Sequence, residues 1–190
     1  MAAFDHIMVL LSFVFALALT HLLSRIGTMM FATRRAKFSP LLSLAMLNAI
    51  ALVLCDWLIL WAEHGLSQWN LAAVVVNFLL AISVFFVCAA AAPEAQADGA
   101  VDMEAYYWRN RRAIWATLAV SNAVAMLANF VFLETPNQAL FLQSTLASLP
   151  FFVPPATGYV FPARWVQWVS GIVQLALTVG FTIAFSGTIG

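Results

Sequence analysis

Six long apolar runs set the strongest limit on what this chain can fold into. All but the fifth come close to the roughly 20 residues that a helix needs to cross about 30 Å of hydrocarbon. They cover residues 7–28, 41–61, 71–92, 113–133, 139–153 and 165–185. Of the 190 residues 64% are hydrophobic and 8% charged, against about 45–50% and 25% in soluble domains. The sequence therefore predicts an all-α, polytopic membrane helix bundle with six transmembrane helices, forming a single domain over residues 1–190.

The basic residues predict the orientation of this bundle. All eight Lys and Arg residues lie on one side, at the end of the first run or in the loop after it, before the fourth run and before the sixth. The opposite side holds Asp5, Glu63 and Glu134 without a Lys or Arg. Because basic loops stay in the cytoplasm, we expect both termini to be extracytoplasmic. The net charge of zero argues against nucleic acid as a partner.

The fifth run is short and carries Pro150, with Pro154 and Pro155 just after it. A proline in a helix leaves the carbonyl four residues earlier without its usual hydrogen bond, and inside a membrane a neighbouring group must satisfy that carbonyl. We therefore expect this helix to pack against protein, as a kinked or partly re-entrant segment.

The longest connection on the basic side covers residues 93–112. Asp102 is placed to cap a helix that runs into the fourth span, and acids favour the first turn of a helix. Aromatic and basic residues at the start of this helix are typical of an interfacial anchor or of a docking face for an anionic lipid or a partner subunit. They are Tyr106, Tyr107, Trp108, Arg109, Arg111 and Arg112.

The stretch Ala105–Arg112 has two consecutive tyrosines, a further aromatic residue and then Arg-x-Arg-Arg entering a span. Together with the basic loop after the first span and the tryptophans that close the second, it resembles a group of small, uncharacterised bacterial six-span integral membrane proteins. The resemblance covers most of the chain. It implies a multi-pass protein of the bacterial cytoplasmic (inner) membrane and supplies no activity.

Polar side chains inside the spans fall into two layers when depth is counted at about 1.5 Å per residue. The outer layer contains Asp56, Asn77, Asn129 and Gln143, and the second contains His21, Asn48 and Gln174. Asp56 is the leading candidate for a site, because intramembrane carboxyls usually face the bundle interior or a wet cavity. Either a neutral Asp56 joins helices by hydrogen bonding, or the site holds a proton or a small cation with the support of the neighbouring amides.

Metal and catalytic motifs are weak in this sequence. His6 and His64 each stand beside an acid, but their spacing matches no metal-ligand motif. There is no Gly-rich phosphate loop, nucleophile elbow, zincin motif or Cys-x-x-Cys, and the loops are too short for a soluble catalytic domain. We expect lipids as the bound molecules, no cofactor or metal, and no enzymatic activity.

Two classes of function remain. The first is a non-catalytic helical membrane subunit, either in a homo-oligomer or accessory to a larger membrane complex. The second is a small proton or cation transporter or channel that uses Asp56 and the amide layer. Transport normally needs polar groups along a continuous path, and only Asp56 and His21 are ionisable at depth. The sequence therefore favours the first class.

Overall fold

The computed structural model describes residues 3–31, 36–62, 70–93, 101–132, 143 and 145–186. Over these residues the chain is all-α apart from two short strands. The helices are α1 (Ala3–Phe31), α2 (Pro40–Ala62), α3 (Leu71–Ala91), α4 (Met103–Phe132), α5 (Val153–Val160) and α6 (Arg164–Ser186), and the strands are β1 (Ala36–Lys37) and β2 (Val101–Asp102). Residues 145–148 are also helical, and a 3-10 turn over Leu149–Phe152 leads into α5.

Four of the helices are long and apolar enough to cross a membrane. The qualifying stretches are Ile7–Met30, Pro40–Trp61, Leu71–Ala91 and Arg164–Ala184. Helix α4 begins with charged residues and then runs from residue 113 to 132 without one. Large apolar side chains such as Phe13, Phe86 and Ile183 are exposed on the outside of the bundle, as a lipid-facing surface requires. The predicted all-α architecture is confirmed, and its helices are typical of a membrane protein.

The core lies between α1, α2, α3 and α4. Helix α1 buries one narrow stripe, Leu11, Phe15, Ala18 and Leu22, whose spacing of four, three and four residues places it on one face. This helix packs mainly against α3. Small residues let α3 and α4 approach closely, and the hydroxyl of Ser83 donates to that of Ser121 across their interface at 3.2 Å.

The two strands tie the segment after α1 to the start of α4. They pair in parallel, Ala36 opposite Val101 and Lys37 opposite Asp102, and the Lys37 ammonium lies 3.5 Å from the Asp102 carboxylate. The same carboxylate accepts a hydrogen bond from the Ala105 backbone N–H at 2.8 Å, so the predicted helix cap is confirmed. This N–H, followed by Lys37, lowers the pKa of Asp102.

The predicted fifth span does not end at residue 153, because the chain stays helical to Val160. Pro154 and Pro155 occupy the first turn of α5, where backbone N–H groups have no partner within the helix in any case. Pro155 has no N–H to give the Phe151 carbonyl, and the side chain of Asn122 donates to that carbonyl at 2.6 Å. Both prolines are buried. A neighbouring helix thus satisfies this carbonyl. The expectation that the fifth run packs against protein is wrong for its described part, because none of residues 143 and 145–153 is buried.

Helix α5 returns along α4 in the opposite direction. Asn122 contacts Phe151, and Arg111, three turns earlier in α4, contacts Tyr159 near the end of α5. This return brings the start of α6 to the end of the bundle where α2 and α4 also begin. We call this end, which carries Lys37, the arginines of α4 and Arg164, the basic end.

Candidate functional site

A hydrogen-bond network at the basic end centres on Gln167 of α6, which is 1% exposed. Its Oε1 accepts from the Tyr107 hydroxyl at 2.7 Å and from Trp115 Nε1 at 2.6 Å. Its Nε2 donates to the carbonyls of Gly158 at 2.9 Å and Phe161 at 2.6 Å. Burial raises the pKa of Tyr107 to about 12, so its hydroxyl remains a donor at neutral pH. One amide therefore uses both of its donors and joins α4 and α5 to α6.

Arg111 strengthens the same junction from inside the protein. It is buried, and its guanidinium donates to the carbonyls of Gly158 at 2.5 Å and Tyr159 at 2.8 Å. These carbonyls lie in the last turn of α5, where a cation is favoured by the helix dipole. A Cβ at position 158 would lie 2.3 Å from the Trp115 ring, so the indole packs directly on the backbone of α5 and requires glycine there.

Glu104 connects the starts of three helices. Its Oε2 accepts from the Ser39 hydroxyl at 2.7 Å, its Oε1 accepts from Trp108 Nε1 at 2.8 Å, and Arg164 pairs with the same carboxylate. The hydrogen bonds from Ser39 and Trp108, and then Arg164, hold the pKa of Glu104 below its usual range. Glu104 thus links α2 and α4 to α6.

The aromatic and basic residues that the sequence analysis grouped on one surface are divided by the fold. Arg109 and Arg112 are exposed, and their guanidinium carbons lie 6.0 Å and 5.8 Å from the ring centres of Tyr106 and Tyr159. Tyr107 and Arg111 face the interior instead, because they share a helical face with the core residues of α4. The remaining surface for a lipid or partner is narrower than the sequence suggested.

The hydroxyl of Tyr106 donates to the carbonyls of Ala90, at 3.1 Å, and Ala92, at 3.3 Å. Tyr106 therefore holds α4 against the end of α3. Trp108 is half-buried, and its Nε1 donates to Glu104. Both aromatic residues have bonding roles within the bundle in addition to their place near its surface.

A second group of polar side chains lies along the interface between α2 and α6. Helix α6 buries Gln167, Ser170, Gln174 and Thr178 at a spacing of three, four and four residues, while Val169, Val173, Val179 and Phe181 are exposed. From α2, the Asn48 Nδ2 donates to the carbonyls of Leu44 at 2.9 Å and Gly171 at 3.0 Å. The polar face of α6 is therefore turned inward, the reverse of a helix on a water-soluble protein.

Three buried oxygens on α2 and α6 have no hydrogen-bond partner among the described residues: Asn48 Oδ1, Asp56 Oδ2 and Gln174 Oε1. Their residues are between 1% and 5% exposed. The NH2 group of Asn48 faces the two carbonyls it bonds, so its oxygen is the atom left without a partner. The reverse orientation of the Gln174 amide would let the Thr178 hydroxyl, now 3.4 Å from Nε2, donate to Oε1. An unpaired buried acceptor costs about 1–3 kcal/mol, and of the three residues only Asp56 can ionise.

A cavity of about 10 Å³ lies between the network around Gln167 and the polar side chains of the α2–α6 interface. Asn48 and Gly171 line it from one side, and Tyr107, Trp115 and Gln167 line it from the other. A space of this size has room for about one water molecule. The side chain of Asn48 thus borders the network at the basic end.

The described residues of the predicted outer layer differ in burial. Asp56 and Asn77 are both buried, on α2 and α3, whereas Gln143 is exposed. Asn129 lies in α4, but its side chain is outside the described part of the structure. Equal depth along the bundle therefore did not predict a shared interior position.

Of the second predicted layer, Asn48 and Gln174 both lie between α2 and α6. His21 lies on α1, half-buried, with its ring centre 6.2 Å from that of Phe85 on α3, and so belongs to a different helix interface. The side chain of His6 and the whole of His64 fall outside the described residues. Within the described residues, no group of three or more His, Cys, Asp or Glu side chains is placed to hold a metal ion.

Sequence reasoning missed Gln167, Trp115, Ser39 and Glu104. Only one signal pointed to Gln167, the regular spacing of polar residues along an otherwise apolar α6. Comparison of the chain with protein-family models, with curated proteins and with solved structures finds no match. The function is therefore inferred from the network around Gln167 and from the polar side chains of the α2–α6 interface.

Proposed function

We propose that this chain is a non-catalytic helical subunit of a membrane, in a homo-oligomer or as an accessory part of a larger membrane complex. The observation that carries the proposal is the network at the basic end. There Gln167, Arg111 and Glu104 each bond to groups on other helices. Polar side chains used in this way hold a bundle together.

The proposed membrane arrangement is six spans in the bacterial inner membrane, with the basic end in the cytoplasm and both termini outside. Two features support it. The loop after α1, the start of α4 and the start of α6 meet at one end, and basic segments stay cytoplasmic. A tag ahead of Ala2 and a reporter after Gly190 should read as extracytoplasmic, and a reporter near Gly99 as cytoplasmic. A cytoplasmic C-terminus with an outside N-terminus would require an odd number of spans and refute this arrangement.

Assembly is tested by extracting the chain with its native lipid and weighing the particles. We expect either an oligomer or a complex with other membrane proteins. Replacing the exposed pair Arg109 and Arg112 by Gln should reduce the yield of that assembly without changing thermal stability. Arg111→Gln is the matched control, since it should lower stability by breaking the contact with α5. Particles that contain a single copy and no partner would contradict the subunit proposal.

A second candidate function is the movement of protons or a small cation. The observation that favours it is the buried Asp56 carboxyl, whose Oδ2 has no hydrogen-bond partner among the described residues. An intramembrane carboxyl commonly marks a proton or ion pathway.

Ion and pH flux in proteoliposomes separates the two candidates. The variants are Asp56→Asn, which is nearly isosteric and cannot ionise, and Asp56→Leu, with folding measured in parallel. Absence of flux in the wild-type protein would rule out autonomous transport and leave the subunit function. Flux that is present in the wild type and lost in a well-folded Asp56→Asn variant would establish transport instead.

A further inference from the structure

A small cavity lies where α2, α4 and α6 meet. Its volume is about 10 Å³, and Asn48 of α2 and Tyr107 of α4 both line it. The two residues are only 3% and 2% exposed. The remaining walls are mostly apolar, formed by Leu41, Leu44, Ala45, Ile114 and Leu118. The few polar groups on the walls therefore decide what the cavity can hold.

The side-chain donors on these walls are all in use. Asn48 Nδ2 donates to two backbone carbonyls. The Tyr107 hydroxyl and Trp115 Nε1 both donate to Gln167 Oε1. Gln167 Nε2 in turn donates to two carbonyls of α5 and the residue after it. The walls can therefore accept a hydrogen bond from an occupant but cannot donate one from a side chain.

Two acceptors on the walls remain. Asn48 Oδ1 is buried and has no hydrogen-bond partner among the described residues. A hydroxyl oxygen has two lone pairs, so that of Tyr107 can accept a hydrogen bond while it donates to Gln167. An occupant that bonds both oxygens must supply two donors from a very small volume, as a water molecule does. A calcium or magnesium ion would instead need about six oxygen ligands.

We propose that one water molecule occupies this cavity and donates to Asn48 Oδ1 and to the hydroxyl oxygen of Tyr107. A buried water needs a space of about 10–15 Å³ and two to four polar partners, and the cavity offers both. Gln167 already joins α4 and α5 to α6, and the water adds α2 to the same network. The site depends on neither of the two candidate functions.

A high-resolution structure of the full-length protein, from crystals grown in lipid, tests the position of the water. We expect one density peak in the cavity, about 2.5–3.0 Å from Asn48 Oδ1 and from the Tyr107 hydroxyl oxygen. A map of that quality without a peak in the cavity, or with a peak that bonds neither oxygen, would overturn the proposal.

Solid-state NMR of the protein in lipid bilayers tests the identity of the occupant. The measurement is magnetisation transfer from water protons to the side-chain amides of Asn48 and Gln174. Gln174 is the matched control, because it is 1% exposed and does not line the cavity. We expect transfer to Asn48 and none to Gln174. Equal transfer to both amides, or a density peak without transfer to Asn48, which would indicate an ion, would overturn the proposal.

A cavity-filling substitution tests the site independently. Ala45→Val adds two methyl groups at the wall, and Ala51→Val is the matched control, since Ala51 is also partly buried on α2 but does not line the cavity. We expect Ala45→Val to abolish the transfer to Asn48, and Ala51→Val to keep it. Transfer that persists in a well-folded Ala45→Val variant would contradict the assignment. Should Ala45→Val fold poorly, the map and the spectrum of the wild type still decide.

Discussion

Replacing Gln167 by Leu removes the amide that joins three helices. Leucine is similar in size, fits the apolar surroundings of α6 and favours a helix, so the change acts through lost hydrogen bonds. Two donors then lose their acceptor, the Tyr107 hydroxyl and Trp115 Nε1. Of the two carbonyls that Gln167 bonds, Gly158 keeps the hydrogen bond from Arg111.

The magnitude follows from the two orphaned donors. Each buried unsatisfied group costs about 1–3 kcal/mol, and hydrogen bonds between membrane helices average about 0.6 and reach about 1.7 kcal/mol. We therefore expect Gln167→Leu to lower the free energy of unfolding by about 2–4 kcal/mol on these two ranges. Gln143→Leu, at an exposed glutamine, should change it by less than about 0.5 kcal/mol.

The assay is equilibrium unfolding in mixed micelles of increasing SDS content, followed by circular dichroism, on four proteins of a double-mutant cycle. Tyr107→Phe should destabilise the wild type by about 1 kcal/mol. In the Gln167→Leu background the same change removes an orphaned hydroxyl, so it should be neutral or stabilising. Costs that simply add, within about 0.5 kcal/mol, would refute the assignment of this hydrogen bond.

Three further changes test neighbouring features. Gly158→Ala should lower the free energy of unfolding by about 1–3 kcal/mol, because it displaces the indole of Trp115 packed on that glycine. Gly180→Ala, where a Cβ would have nothing within 4 Å, should be neutral or stabilising in the same unfolding assay. The folded state lowers the pKa of Glu104 below its ordinary 4.5. The stabilisation from the Glu104 carboxylate should therefore be complete above about pH 4.5 and be lost as pH falls through the folded pKa. Unfolding of Glu104→Gln, measured between pH 7 and 3, should lack this loss of stability. Asn122→Leu should lower the free energy of unfolding by about 1–2 kcal/mol. Adding Pro155→Ala should recover most of this loss, because it restores a backbone N–H for the Phe151 carbonyl. Thermal unfolding of the two variants would detect both changes.

The helices could be predicted from the sequence because hydrocarbon leaves a chain few alternatives. An apolar run of about 20 residues must satisfy its own backbone, and a helix does so within one segment. Two local features could also be predicted from the sequence. Asp102 caps α4 through an N–H only three residues away, and the need to satisfy a carbonyl near Pro155 follows from the missing N–H. That Asn122 meets this need could not be predicted, since it depends on how α4 packs against α5.

The direction in which a side chain points could not be predicted from its depth. The rise per residue gives a height along the bundle and leaves the rotation about the helix axis undetermined. Asp56 and Gln143 were assigned the same height, yet one is buried and the other exposed. His21 and Asn48 were likewise assigned one layer and lie at different helix interfaces. Rotation is set by packing partners, which a single sequence does not reveal.

The two polar groups differ in a way that bears on function. At the basic end, donors and acceptors match, so an apolar substitution such as Gln167→Leu leaves partners unpaired and must destabilise the fold. Along α2, Asp56 carries a buried carboxyl oxygen without a hydrogen-bond partner among the described residues, so Asp56 stabilises the fold less than a fully bonded group would. If the protein is only a structural subunit, an apolar residue at position 56 should cost little stability. A stable Asp56→Leu variant would therefore show that folding does not need this carboxyl, and the flux assay would then decide between the two candidate functions.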